Sequence, residues 1–222
     1  MRKPQVDYRQ FRLKKLRDPE YSHLLLLLGW IGYFILYLLT ENLIPLSRCH
    51  LVHCRLDDLI PFHEGFVLAY TGWYVLIVFS LGYYLLYNVE NFKGLQTYII
   101  VTQVVAMICY VVYPTYQDLR PEAFPRDNVL TWIMGLIYEF DTPTGVCPSL
   151  HVAYSIGIAS SWLKEKSASR FWKGFIVVFV VLICLSTMFV KQHSAVDVCA
   201  ALPVCALAEW IAYGRKKKTS KH

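Results

Sequence analysis

The chain carries little charge. Only 17% of its 222 residues are Asp, Glu, Lys or Arg, against roughly 25% in an ordinary soluble domain. Apolar residues make up 56%, and the mean hydropathy is +0.39. A soluble globule of this length cannot hide that much apolar surface, so the composition excludes one. It equally excludes a disordered tail protein and a disulfide-rich secreted miniprotein. Internal repeats and low-complexity segments are lacking. No Cys-x-x-Cys pair occurs among the seven cysteines, which speaks against a zinc ribbon. What remains is an all-α polytopic membrane bundle, with length enough for one compact domain.

The net charge of +6 is distributed in a way that does not suit nucleic acid. Arg2, Lys3, Arg9, Arg12, Lys14, Lys15 and Arg17 precede the first apolar run, and Arg215 to Lys218 with Lys221 follow the last. Basic clusters flanking apolar segments anchor a protein at a cytoplasmic membrane face. The expected organisation is a basic cytoplasmic arm over 1–22, a transmembrane domain over 23–214 and a basic cytoplasmic tail over 215–222.

A spanning helix needs about 20 mostly apolar residues. Six runs qualify: 24–40 (extending to 46), 65–89, 94–117, 148–163, 174–190 and 194–214. A seventh, 128–138, is apolar but too short to span; it reads as an interfacial helix, either a lid or a surface connector. With the N-terminus inside, seventeen Lys and Arg fall on inner segments and five on outer ones, so both termini are expected in the cytoplasm of a multi-pass cell-membrane protein. Tyr83, Tyr84, Tyr87, Trp162, Trp172, Trp210 and Tyr213 then collect near the inner interface. The first run has the basic approach of a signal peptide. No small-x-small cleavage site follows it, so it reads as a retained span. Cys109, Cys184, Cys199 and Cys205 fall within spans as small apolar residues. Cys49 and Cys54 share the first outer loop, where a local disulfide is open to them.

On this topology the unusual polar residues gather at one depth. Arg120 follows the third span, His151 opens the fourth, and His193 and Asp197 open the sixth, all at outer ends. Ionisable groups at such depths are costly and point to function. His193 and Asp197 are four apart, so they share a helix face and can hydrogen-bond. A carboxylate on one ring nitrogen fixes the tautomer and leaves the other nitrogen available to attack or bind. Cys147-Pro148-Ser149-Leu150-His151 reads as a helix start. Helix N-termini favour an anion such as phosphate, and Arg120 offers a planar fork for its oxygens. Zinc on His151, His193 and Asp197 is chemically conceivable. The anion-favouring helix ends and Arg120 argue against a cation there.

These residues resemble the type 2 phosphatidic acid phosphatase (PAP2) superfamily of membrane lipid phosphatases and phosphotransferases. That family carries Lys-x6-Arg-Pro, Pro-Ser-x-His and Ser-Arg-x5-His-x3-Asp. Here the first runs from Tyr113 to Arg120-Pro121, the second is Pro148-Ser149-Leu150-His151, and the third is Ser186-Thr187, five residues, His193, three residues, Asp197. Two family cations are replaced, by Tyr113 and Thr187. Lys191, four residues after Thr187, is the expected substitute if that stretch stays helical. Lys191-Gln192-His193 and 57–62 resemble the inositolphosphotransferase-like branch.

The resemblance implies a six-helix fold and a metal-independent reaction without cofactor. His193 would attack phosphorus and form a phosphohistidine, Asp197 would orient it, and His151 would protonate the leaving oxygen. Arg120, Lys191, Ser149 at its helix end and the Tyr113 position would line the phosphate site. The implied partners are a lipid phosphate and the bilayer, with the active site extracytoplasmic. The implied activity is phosphatase, with transfer of a phospho-headgroup to an alcohol as the alternative and an inactive scaffold as the third reading.

Overall fold

The computed structural model describes residues 3–214; Arg2 and the basic tail lie outside the described residues. The chain is nearly all helical. Its principal helices are α1 (Leu28–Leu43), α2 (Arg55–Leu59), α3 (Val67–Tyr87), α4 (Val89–Val112), α5 (Val129–Phe140), α6 (Leu150–Lys164), α7 (Arg170–Phe189) and α8 (Ala195–Glu209). Two short strands, β1 (His50–Leu51) and β2 (Thr115–Tyr116), pair in parallel.

Five segments are long and apolar enough to cross a membrane: Ser22–Leu43, Glu64–Tyr87, Val89–Val112, Arg170–Phe189 and Ala195–Gly214. The run expected at 148–163 becomes α6, whose 15 residues give a rod of roughly 22 Å. It is the central helix, packed against α3, α4, α7 and α8. Its neighbours are exposed instead. Val78 on α3 and Val178 on α7 are 74% and 61% accessible, so an apolar belt surrounds the bundle. Such a belt needs an apolar solvent.

The expected start of the third span, Gly94, is five residues late. Glu90 and Lys93 hide the true start, because both lie in the first turns of α4. Asn88 sets that start: it terminates α3, and its side chain accepts from the Asn91 amide to cap α4. The N-terminal arm is docked rather than free. Gln5 joins the same turn through Leu86 O and the Val89 amide, and Tyr8 donates to Leu85 O.

Gly157 marks the closest approach in the core. A Cβ there would collide with the Tyr98 ring of α4. The helices therefore meet on a residue that has no side chain to keep them apart.

Candidate active site

The loops at one end of the bundle are fastened to each other by backbone pairing. β2 anchors the segment before α6: Gln117 N donates to Pro143 O, Gly145 N to Thr115 O, and Cys147 N to Thr115 Oγ1. The Tyr110 hydroxyl donates to Pro148 O at 2.8 Å. This lacing delivers Ser149 as the N-cap of α6 and His151 as its second residue.

The His193 segment is fixed differently. α7 ends at Phe189, and Lys191 adopts φ 54°, the left-handed conformation that turns a chain out of a helix. The amides of Gln192 and His193 then both donate to Thr187 O. Ser194 caps α8, so His193 sits just before the helix rather than in its first turn.

Three of the sequence-identified residues meet. His193 Nδ1 lies 3.2 Å from Asp197 Oδ2, and His193 Nε2 lies 3.3 Å from His151 Nδ1. Asp197 is fully buried, and its Oδ2 also accepts from the Ser194 amide at 3.0 Å. An ionised carboxylate only accepts, so the His193 proton belongs on Nδ1 and Nε2 presents a lone pair. His151 Nδ1 must then be the donor in the second contact. The His151 ring is stacked on Tyr70 and faces Trp73, with centroids 4.7 and 4.2 Å away.

Both histidines line a cavity of about 640 Å³. Its walls are aromatic and aliphatic, among them Trp30, Tyr33 and Phe34 from α1, Trp73 and Tyr74 from α3, and Ile137 from α5. α1 packs on α4 and α5 packs on α3, whereas α1 and α3 make little contact with each other. The cavity lies between them, and its lining includes Phe34 on α1 and Tyr74 and Val78 on α3, all exposed on the apolar belt. Asp141, Thr142 and Thr144 add polar groups to the wall. Burial pushes the Asp141 carboxyl up, against the pull of Arg120.

The other four expected residues stand elsewhere. None of Tyr113, Arg120, Ser149 and Lys191 lines the cavity. Tyr113 ends α4 and points outward, stacked on His50 with ring centroids 4.1 Å apart. Ser149 is fully buried, its hydroxyl accepting from Val152 N and its own amide donating to Asp197 O at 3.2 Å. Arg120 stacks on Tyr138 and donates to Tyr138 O, Asp141 O and Gln192 Oε1 at 3.0, 2.7 and 2.8 Å. Burial lowers its pKa, with the Asp141 carboxylate opposing. Lys191 does not share a helix face with Thr187. The helix stops before it, and its ammonium is held by the carbonyls of Asp57 and Ile60. Lys191→Ala should therefore lower stability by about 2 kcal/mol, the scale of hydrogen bonds to a charged group, and leave phosphate affinity unchanged; thermal unfolding and orthovanadate titration in detergent check both.

Sequence reasoning missed Asp57. It is 2% exposed and sits on the N-terminus of α8, accepting from Ser194 Oγ at 2.6 Å and the Ala195 amide at 2.8 Å. The helix end expected to receive phosphate is thus already occupied by the chain's own carboxylate. A second carboxylate, Asp197, closes the same cap from inside. Burial alone would raise the Asp57 pKa, but the hydrogen bonds from Ser194, Ala195 and Cys54 outweigh it and hold the carboxyl below its ordinary range. Asp57→Ala strands those donors and should cost about 3 kcal/mol. A lowered pKa means the stabilisation is present above the unfolded value, about 3.9, and disappears as pH falls through the folded one. The stability gap between wild type and Asp57→Ala should accordingly narrow as pH falls below the ordinary carboxylate range.

All seven cysteines are free thiols, so Cys49 and Cys54 form no disulfide; Cys54 instead caps α2. Among the described residues no group of three or more His, Cys, Asp or Glu is placed to hold a metal ion. Comparison of the chain with family models, curated proteins and solved structures returns no match.

Proposed function

We propose that the chain is a membrane lipid-phosphate phosphatase acting through a phosphohistidine, as its likeness to the PAP2 motifs implies. One observation carries this reading: the Asp197–His193–His151 relay presents both imidazoles to an apolar cavity walled by α1 and α3. A relay of this order suits a nucleophile with an oriented base, next to a second imidazole that can protonate the leaving oxygen. An aromatic chamber walled in part by residues of the apolar belt suits a substrate whose tail stays in the bilayer.

In this reading α6 is the sixth crossing, short because protein rather than lipid surrounds it. α5 lies at the interface over the cavity. Both termini are cytoplasmic, the relay faces the extracytoplasmic side, and the membrane is the cell membrane. His193 Nε2 attacks phosphorus in line, and the alkoxide or phosphate leaves with a proton from His151. Water, activated by His151, then cleaves the phosphohistidine.

Transfer to an alcohol is the second reading. The engagement of Arg120 and Lys191 with backbone carbonyls favours it, because a site without a freely presented cation suits the single charge of a phosphodiester better than the double charge of a monoester. The test is phosphate release by purified protein from a panel of lipid phosphates, with EDTA present. Release supports the phosphatase. Release from none of them, followed by headgroup exchange onto added inositol, glycerol or diacylglycerol, would replace it with the transferase.

A further inference from the structure

We infer that Gln192 supplies the cavity's hydrogen-bond donor to a phosphoryl oxygen, and that Arg120 is the positioning residue behind it. This rests on the phosphoryl-transfer reading of the site. Gln192 is 3% exposed and lines the cavity immediately before His193. Its side chain is asymmetric, and its orientation follows from its partner. Arg120 can only donate, so the atom 2.8 Å from Arg120 Nη2 must be the amide oxygen. The amide nitrogen is thereby turned away from Arg120. Nε2 is buried and has no hydrogen-bond partner among the described residues.

A buried donor left unpaired destabilises the fold. The protein accepts that cost beside a candidate nucleophile, in the wall of the cavity. An oxygen-bearing ligand placed there would satisfy it. The backbone makes the donor rigid as well. The Gln192 and His193 amides share one acceptor, Thr187 O. Gln192 and His193 therefore move together, which fixes the donor relative to the attacking nitrogen.

The arrangement also gives the guanidinium a role at a distance. Arg120 is not in the cavity wall, and its Nη atoms face protein oxygens. A cation on the carbonyl end of an amide polarises it and strengthens the N–H at the other end. The positive charge would thus reach the phosphoryl oxygen through a neutral amide. The motif cations missing at Tyr113 and Thr187 would have an uncharged substitute.

Two variants of the full chain in detergent separate this from a tether role. Gln192→Glu keeps an acceptor for Arg120 and removes the donor. Gln192→Met removes both, without adding charge. Orthovanadate is the probe, read as a shift in thermal unfolding, beside turnover of a lipid phosphate. Both variants should bind orthovanadate about 100-fold more weakly and lose about 100-fold in kcat with little change in KM, the scale of one lost oxyanion donor. Gln192→Glu should unfold at or above the wild-type temperature, because its carboxylate pairs with Arg120. If Gln192 only held Arg120 in place, Gln192→Glu would keep wild-type turnover. Wild-type vanadate affinity and turnover in both variants overturn the donor role and leave the phosphoryl-transfer reading standing. A wild-type protein with neither vanadate binding nor turnover overturns that reading and the donor role with it.

Discussion

Replacing His193 with alanine should abolish phosphoryl transfer and leave the protein folded. The fold does not depend on the ring. The turn that presents His193 is held by its backbone amide on Thr187 O and by the Lys191 clasp. Asp197 Oδ2 keeps the Ser194 amide as a partner when the imidazole is gone. The buried carboxylate is therefore not stranded, and the stability loss should stay within about 1.5–3 kcal/mol, the value of one hydrogen bond to a charged group. On the phosphatase reading, the chemistry in contrast loses its nucleophile. His151 stands 3.3 Å away, but its ring is wedged against Tyr70 and Trp73, and among the described residues no carboxylate orients it as Asp197 orients His193. Loss of a nucleophile from an interdependent catalytic set costs about 10⁶-fold. Initial rates and trapping of the phosphoenzyme at high pH, where phosphohistidine survives, would measure it. Turnover within tenfold of wild type would remove His193 from the role of nucleophile.

Much of the bundle was legible from uncharged runs alone, because a lipid-facing helix cannot carry charge without cost. Where charge sits at a helix end the reading slipped: Glu90 and Lys93 concealed the first turns of α4. The relay was legible in part. The four-residue spacing put His193 and Asp197 within reach of each other, and the shared outer depth brought His151 to them. Lys191 shows the limit of the same logic. Counting four residues from Thr187 assumes an unbroken helix, and α7 ends before Lys191, which turns left-handed and reaches a carbonyl 134 residues away. Asp57 was hidden for the same reason. Its partners, Ser194 and Ala195, lie far along the chain, and no periodicity reports such a contact. Arg120 was recognisable as unusual, yet its carbonyl partners at Tyr138 and Asp141 depend on where α5 ends.

Asp197→Ala should lose about four orders of magnitude in turnover, the scale seen when a catalytic imidazole loses its orienting carboxylate. Asp197→Asn should lose far less, about tenfold, and the reason lies in the α8 cap. In a triad where the carboxylate has only the imidazole to satisfy, an asparagine can turn its NH₂ toward the ring and force the wrong tautomer. Here the oxygen that meets His193 Nδ1 also accepts from the Ser194 amide. An NH₂ at that position would face the Ser194 N–H donor to donor, so the cap compels asparagine to place its carbonyl oxygen there. The Nδ1–H tautomer of His193 is thereby kept. What disappears is the negative charge that stabilises the positive imidazole as phosphorus is attacked. Exchanging a charged for a neutral acceptor halves such a bond, about 1 kcal/mol, which accounts for a loss of about tenfold. Adding Ser194→Pro removes the amide donor and with it the constraint, so the double variant should fall toward the alanine level. Nitrogen chemical shifts of His193 in Asp197→Asn would report the tautomer directly. A proton on Nε2 in that variant, with turnover as low as in Asp197→Ala, would show that the cap does not hold the asparagine in place.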